Sequence, residues 1–381
     1  MDLDLSSEQR MVQSLAREFA QAEVAPLARE LDRTARFPSE LVKRLGELGL
    51  LGVAIPEAEG GAGLDTVSYA LAVEEISAAC ASLGAIMSVN NSLVCDPLHQ
   101  HGTPSQKETF LRPLASGQAL GCFGLTEPMS GSDASRMATV AEREGDAWIL
   151  RGSKNFITNG PHADVMLVFC VTDRGLGARG VTAFLVPRGT PGYVPQKHDE
   201  KLGIHAAHSC TVFFEDCRIS DAQRLGELGT GFRIAMATLD GGRIGIAAQA
   251  LGIARAAHEK AVAYAKERHA FGEPIANKQA IQFMLADMST ELEAARLLIL
   301  RAAWLKDQGQ ARFTQESAMA KLYASEMSHR VCHRALQIFG GYGYTTEYDL
   351  ERHYRDSRIT EIYEGTSEIM RLVIAAQALK R

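Results

Sequence analysis

The sequence carries no excess of positive charge. Forty lysines and arginines stand against 46 acidic residues, a net charge of −6. That excludes a general nucleic-acid binder. It also has no apolar run of the roughly 20 residues needed to span a bilayer, so no membrane segment is expected. The seven cysteines (Cys80, Cys95, Cys122, Cys170, Cys210, Cys217 and Cys332) are odd in number and lack C-x-x-C spacing. A disulfide framework is excluded, and they read as reduced thiols, several in the core. The eleven histidines suggest no ligand set, so no protein-bound metal is expected. The opening Met1-Asp-Leu-Asp-Leu-Ser-Ser-Glu carries acids where a presequence carries Arg and Lys. A bacterial cytoplasm is expected, although a mature protein of the mitochondrial matrix would look the same. Internal repeats and low-complexity segments are absent.

What is present is a globular composition, 46 % hydrophobic and 23 % charged over 381 residues. That is too long for one compact core, so two or three domains are expected. Residues 6 to about 120 read as helices. Ser6-Ser-Glu-Gln is a cap, and Met11, Leu15, Phe19 and Val24 follow near helical spacing. Pro38 and Ser39 start a helix carrying Leu41, Leu45 and Leu48. Pro56-Glu-Ala-Glu-Gly-Gly-Ala-Gly breaks the pattern, which resumes through Tyr69–Ile76.

The pattern changes at about residue 121. Short β-rich runs, Trp148-Ile-Leu, Asn155-Phe-Ile-Thr, Val165–Val171, Val181–Val186 and Thr211-Val-Phe-Phe, alternate with Gly, Asp and Pro. They predict a compact antiparallel β domain, barrel-like in form. From about 231 the helical period returns. Ile281, Leu285, Met288, Leu292, Ala295 and Ile299 mark one apolar face of a long helix, with similar patterns over 232–267, 313–338 and 367–380. The expected domains are 1–120 (helical), 121–230 (β) and 231–381 (helical bundle).

Gly175-Leu-Gly-Ala-Arg-Gly180 matches the dinucleotide fingerprint, but a second strand follows it instead of a helix. Without a helix N-terminus there is no phosphate seat, and the motif is read as a hairpin loop. In Cys122–Asp133, Phe123 and Leu125 share one face of an extended segment, Glu127-Pro128 ends it, and Ser130-Gly-Ser132 forms a small-residue turn able to hold a diphosphate. An ordinary strand and turn fits as well. Phe156 and Thr158, two apart, point the same way from a strand, offering an aromatic face beside a hydroxyl. Asp240-Gly-Gly-Arg243 reads as the head of a helix that Glu267-Arg268 closes, and such Asp and Arg pairs usually form salt bridges. Gln337-Ile-Phe-Gly-Gly341 is a glycine-rich bend. In Arg358–Arg371, Glu364 lies between apolar Ile362-Tyr363 and Gly365-Thr366-Ser367. A carboxylate buried there has a raised pKa, the property of a general base, although a surface carboxylate at a helix break fits the local pattern too.

Taken in this order and spacing, these motifs resemble the acyl-CoA dehydrogenase family over nearly the whole chain. The likeness is greatest to its short-chain, butyryl-CoA members, through Met87–Leu93, Thr238–Ala247 and Arg352–Ile369. The resemblance implies a helical domain, a β domain and a four-helix bundle, with FAD between the last two in a homotetramer. By the same resemblance, Phe123, Leu125, Thr126 and Ser132 hold the flavin, with Ser132 also near the CoA thioester. Phe156 stacks on the ring where many relatives have Trp, and Ile157 and Thr158 lie at its edge. Arg268, Phe271, Gln279, Gln337, Gly340 and Gly341 reach the FAD of a neighbouring subunit. Thr366, Ser367 and Glu368 hold that of their own. Asp240, Arg243 and Gly365 line the substrate pocket. Glu364 is the base that takes the α proton of an acyl-CoA thioester while the β hydride goes to flavin N5, giving the trans-2-enoyl-CoA. Some relatives carry the base near residue 242, where this chain has Gly241 and Gly242. An electron-transfer flavoprotein is the implied electron acceptor. The alternatives are a branched-chain (isobutyryl or 2-methylbutyryl) member, an oxidase, and a non-catalytic flavoprotein on the same scaffold.

Overall fold

A computed structural model describes residues 4–310 and 312–380. The N-terminal part is helical: α1 (Ser7–Phe19), α2 (Ala25–Thr34), α3 (Ser39–Glu47), α4 (Thr66–Ala79) and α5 (Ala81–Ser88), then the short α6 (Asp96–His101), α7 (Pro104–Gln106) and α8 (Arg112–Ala115). Ser6 caps α1 as expected. Its hydroxyl accepts from the Gln9 amide at 3.1 Å, and the Gln9 side chain accepts from the Ser6 amide at 2.9 Å. Of the four residues expected at helical spacing here, Phe19 and Val24 are buried, but in the first turns of α1 the buried positions fall one residue later. Val12, Ala16 and Phe19 are buried, whereas Met11 is 63 % exposed and Leu15 also faces out. Small Ala16 lets α1 approach α4, and the larger Met11 and Leu15 are left outside.

Helix α4 is buried nearly all round and carries two acids, Glu74 and Glu75, that are almost fully enclosed. Buried carboxylates need partners. Arg17 reaches Glu75 at 2.7 Å, Arg255 spans both at 2.8 and 2.7 Å, and Arg296 reaches Glu74 at 2.8 Å. This cluster ties the N-terminal helices to the C-terminal ones. The segment Val89–Cys95, which continues α5, is a buried π-helical turn.

The middle of the chain forms β1 (Gly121–Gly124), β2 (Val140–Glu144), β3 (Ala147–Thr158), β4 (Val165–Val171), β5 (Val181–Pro187), β6 (Tyr193–Pro195), β7 (Ser209–Ser220) and β8 (Arg224–Leu225). They make one sheet in the order β6-β7-β3-β2-β4-β5-β8, with β1 added beside β4. The compact β domain is as expected, with two refinements. The sheet is open instead of closed into a barrel, and β1 runs parallel to β4, as does β2 at Val140. The G-x-G-x-x-G run lies in the loop joining antiparallel β4 and β5, so the hairpin reading holds.

Six helices, α9 to α14, and their connections complete the described residues. Helix α9 (Gly231–Glu267) is followed by the two-residue strands β9 (His269–Ala270) and β10 (Glu273–Pro274), then α10 (Gln279–Asp307), α11 (Thr314–Phe339), α12 (Gly341–Tyr344), α13 (Leu350–Ile359) and α14 (Ser367–Ala378). The α10 face is as read: Met288, Leu292, Ala295 and Ile299 are buried, and Ile281 and Leu285 pack on the same core. The motif Asp240–Arg243 lies well inside α9 and not at its head, because the helix begins at Gly231. Among the described residues no helix is long and apolar enough to cross a membrane.

Candidate active site

The segment after α13 reverses direction before α14 begins. Thr366 caps α14, its hydroxyl accepting from the Ile369 amide at 3.3 Å. Two successive residues, Glu364 (φ 51°) and Gly365 (φ 100°), have positive φ. Glycine takes this freely, but for Glu364 it costs about 1–2 kcal/mol. The reversal is held by the Ser367 amide donating to the Glu361 carbonyl at 3.0 Å and by Lys321 Nζ donating to the Gly365 carbonyl at 2.5 Å.

This turn carries the Glu364 carboxylate to Gly242 of α9. A Cβ built on Gly242 would stand 2.2 Å from Glu364 Oε2 and 2.7 Å from Leu93 Cδ2. Oε2 is buried and has no hydrogen-bond partner. Burial pushes the Glu364 carboxyl up to about 7 from its ordinary 4.5, while Lys321 and then Arg243 pull it back. Arg243 is bonded elsewhere, to Asp240 at 2.6 Å, and Thr314 donates to the other Asp240 oxygen at 2.5 Å. The salt bridge open to Asp240 and Arg243 in the sequence is thus formed, yet Arg243 Nε remains buried without a partner.

A second group lies in the β domain. Lys154 is fully buried in β3, and its ammonium pairs with Glu127 at 2.7 Å. Glu127 also accepts from the amides of Ala138 (2.5 Å) and Thr139 (3.0 Å). Burial raises the Glu127 carboxyl, but the Lys154 charge and these hydrogen bonds outweigh it and hold the group below its usual range. The pair fixes the loop after β1, where Glu127 and Ser130 exchange backbone hydrogen bonds around a tight turn. The Asn155 amide donates to the Thr126 carbonyl at 2.8 Å, joining the two motifs singled out in this domain. A bulge between Lys154 and Ile157 puts Phe156 at φ 57° and leaves it 67 % exposed. Thr126 and Thr158 are half-buried and Ser132 is exposed. The side chains of Phe123, Leu125 and Ile157 are turned inward, the first two into one apolar cluster and Ile157 into another. Phe123 packs on Phe169 with ring centroids 5.1 Å apart, and Leu125 and Ile157 are core residues. Those three offer a ligand chiefly their backbones.

A third group is at the far end of α9. Arg268, Gly340 and Gly341 line one open cavity of about 450 Å³ with Tyr264, Phe339 and Tyr342. The Arg268 guanidinium lies over the Tyr342 ring, 5.6 Å from its centroid. Phe271, 95 % exposed, sits nearby in sequence with Lys278 over its ring, and Gln279 and Gln337 are exposed. Helix α9 is continuous from Gly242 to Glu267, a rise of roughly 37 Å. One chain therefore does not bring this group to Glu364.

Glu127, Lys154, Lys321 and Gly242 were not among the residues expected to build the site. Lys154 carried no signal in the sequence, since it sits in the polar stretch Arg151-Gly-Ser-Lys-Asn155. Lys321 carried one. It falls on the buried stripe Ser317, Lys321, Ala324, Ser328, where a lysine is out of place. His329, Cys332 and His333 lie within one turn of α11, a grouping the sequence reading passed over. His329 Nδ1 lies 3.3 Å from Ser357 Oγ, both histidine rings lie beside Tyr354, and Cys332 is in the core.

Comparison with known proteins agrees over the full length. Residues 6–118, 122–217 and 229–379 match the family models described as the N-terminal, middle and C-terminal domains of acyl-CoA dehydrogenase. The chain is 53 % identical over 378 residues to the mitochondrial short-chain specific acyl-CoA dehydrogenase of Rattus norvegicus, covering 99 % of this chain and 92 % of the relative. It is similar to butyryl-CoA dehydrogenase of Megasphaera elsdenii (TM-score 0.98, 46 % identity, 100 % of both chains). It is also similar to a chain solved in work on the electron transferring flavoprotein of Acidaminococcus fermentans (TM-score 0.99, 47 % identity, 100 % of both chains). The chain belongs to the acyl-CoA dehydrogenase family.

Proposed function

We propose that this protein is an FAD-dependent dehydrogenase of short-chain acyl-CoA thioesters, with Glu364 as its base. The observation that carries the reading is the state of Glu364: a carboxylate with a buried, unpartnered oxygen, pushed up to about 7, in space that only a glycine at 242 leaves open. An acid of that strength is matched to proton abstraction near neutral pH. The short-chain preference rests on the relatives named above.

The residues fit the cofactor. An exposed Phe156 ring beside the Thr126 and Thr158 hydroxyls suits a flat ring with a polar edge. The turn at Ser130–Ser132 and the capped start of α14, with Thr366, Ser367 and Glu368, suit its polar remainder. FAD, when bound, supplies acceptance of the β hydrogen and two electrons. Glu364 takes the α proton at Oε2. Leu93 and the glycines of α9 keep that oxygen dry, which raises its basicity. Asp240 and Arg243 would orient the thioester, with the backbone at Gly365 beside it. Arg268, Phe271, Gln279, Gln337, Gly340 and Gly341 would serve a second copy's cofactor in a homotetramer, a reading supported by the length of α9, which separates them from Glu364 within one chain. An electron-transferring flavoprotein would reoxidise the enzyme, in a bacterial cytoplasm or a mitochondrial matrix.

The test is anaerobic titration of the yellow holoenzyme with butyryl-, isobutyryl-, hexanoyl- and octanoyl-CoA. Bleaching is expected to be fastest with butyryl-CoA, and Glu364→Gln is expected to bind acyl-CoA without bleaching. Fastest bleaching by isobutyryl-CoA would move the assignment to branched substrates. Bleaching of the Glu364→Gln variant at the parent rate would reject the base.

A further inference from the structure

Lys321 is among the largest fully buried side chains of the protein, at 0 % exposure. An ammonium so placed is costly unless its charge and its protons are answered. Among the described residues its one hydrogen bond goes to the carbonyl of Gly365, the residue after the proposed base. Its neighbours on the buried stripe of α11 are Ser317, Ala318, Ala320 and Ala324, none of which carries charge. The negative groups acting on it are Glu364, Glu361 and Glu326, with Glu364 the strongest. In the other direction, of the two cations acting on Glu364, Lys321 has the larger pull and Arg243 the smaller. Yet Lys321 makes no hydrogen bond to the carboxylate, whose Oε2 stays unpartnered.

Two properties follow. The hydrogen bond pins the second residue of a two-residue left-handed reversal, and so fixes the direction in which Glu364 leaves the chain. The charge, held on the next residue's carbonyl, favours the ionised carboxylate without a hydrogen bond to the Oε2 lone pair that must take a proton. A direct ion pair would give the second at the expense of that lone pair.

We propose that Lys321 is the positioning residue of the base: through the Gly365 carbonyl it aims the Glu364 carboxylate, and its buried charge favours the ionised carboxylate that is ready to take the proton. The inference rests on Glu364 being the base. The other groups facing Glu364 do not replace this charge. Arg243, from α9, is committed to Asp240. Lys306, near Gly241, is committed to Asp96 at 2.9 Å. Tyr69 of α4 and Tyr363 of the turn are phenols held neutral by burial, hydrogen-bonded to Ser88 and Gln249. Burial lowers Lys321 itself, to about 8, so the charge is present through neutral pH and fades above it.

The experiment compares the holoenzymes of the parent, Lys321→Met, Lys321→Gln and Glu364→Gln. It measures kcat/KM for butyryl-CoA against pH, together with flavin content and the infrared carboxyl signal of Glu364 as a direct titration. In Lys321→Met the rising limb and the carboxyl titration are expected to move up by about one pH unit, because a close opposite charge is lost. At pH 7 that cuts the ionised base about fivefold, and the plateau kcat falls as well, since the Gly365 carbonyl is released. Lys321→Gln, which keeps a donor without the charge, is expected to show the same pH displacement with a higher plateau than Lys321→Met. A merely structural lysine would alter flavin content or melting temperature and leave both pH titrations in place. If both folded variants keep the limb and the carboxyl titration at the parent pH, the proposal is overturned. If Lys321→Met yields no folded protein, the limb of Lys321→Gln decides alone. Activity surviving in Glu364→Gln would overturn instead the reading of the base.

Discussion

Gly242→Ala should inactivate the protein while leaving it folded. The new methyl would stand 2.2 Å from Glu364 Oε2, 3.1 Å from its Cδ and 2.7 Å from Leu93 Cδ2. To restore ordinary contact the carboxylate must retreat by about 1 Å. Both struck groups are the ends of flexible side chains, so the helix itself need not move. Alanine in a helix interior is worth about 1 kcal/mol over glycine, which offsets the crowding, and net stability should change by no more than about 1 kcal/mol. Chemistry is less forgiving, since a displacement near 1 Å costs on the order of 100-fold in rate, about 2.7 kcal/mol of barrier. The assay is stopped-flow bleaching of the holoenzyme by saturating butyryl-CoA, with thermal melting alongside. Gly252→Ala on the same helix is the contrasting control. Its methyl would meet the backbone carbonyl of Glu74 at 2.3 Å, which cannot swing aside. That variant should lose about 1–3 kcal/mol of stability and keep its rate per folded holoenzyme. Bleaching of Gly242→Ala within twofold of the parent would refute the argument that the working carboxylate is confined against this glycine.

Lys154→Met should strand the Glu127 charge in the β domain, costing about 3–5 kcal/mol in urea melts and much of the bound flavin; unchanged values would mean the pair does not hold the loop. Arg268→Ala should weaken flavin retention and assembly, and unchanged flavin content and native mass would count against its placement at a subunit boundary. For Glu364 the folded pKa lies near 7, above the ordinary 4.5, so the native state holds a proton that the unfolded chain has released between those values. Its contribution to stability is therefore lost as pH rises from about 4.5 to 7, and Glu364→Gln should melt higher than the parent at pH 8 but not at pH 5. The same titration makes kcat/KM climb through about pH 7, and a profile flat from pH 5 to 9 would contradict it.

The elements with a single buried face were legible in the sequence. Ile281–Ile299 repeats its apolar residues without ambiguity, and α10 follows. Where small residues decide packing, the reading slipped. In α1 the face belongs to Val12, Ala16 and Phe19 because Ala16 permits close approach, whereas hydropathy alone favours Met11 and Leu15. Asp240–Arg243 reads in the sequence as the head of a helix. In the structure Gly241 and Gly242 are interior, since Gly242 leaves room for a carboxylate arriving from a turn more than a hundred residues away. The parallel pairing of β1 with β4 was equally invisible, because local alternation does not encode which strand lies alongside. At the segments expected to meet a flavin, the structure buries some of the side chains that the sequence offers to it. Phe156 is turned out at the bulge and Thr158 is half-buried, whereas Ile157 between them lies in the core.

Two buried glutamates show what the sequence alone could not separate. Glu127 and Glu364 each lie next to a glycine- or proline-containing turn, and each has a buried lysine acting on it. The difference is in the supply of hydrogen bonds. Glu127 accepts from Lys154 and from two backbone amides, and its carboxyl is held below the usual range. It is ionised, saturated and inert, which suits a brace. Around Glu364 the donors that bond do so to other acceptors, Arg243 Nη to Asp240, Lys321 to the Gly365 carbonyl and Tyr363 to Gln249, and the unpartnered Arg243 Nε does not reach Oε2. Its Oε2 is left with burial but without a bond, and the carboxyl rises to about 7. A base must hold a free lone pair in a dry place, and that condition is set by where the neighbouring donors point. Directing any one of them at Oε2, for example by removing the Asp240 carboxylate that holds Arg243, would convert Glu364 from the second kind of glutamate into the first.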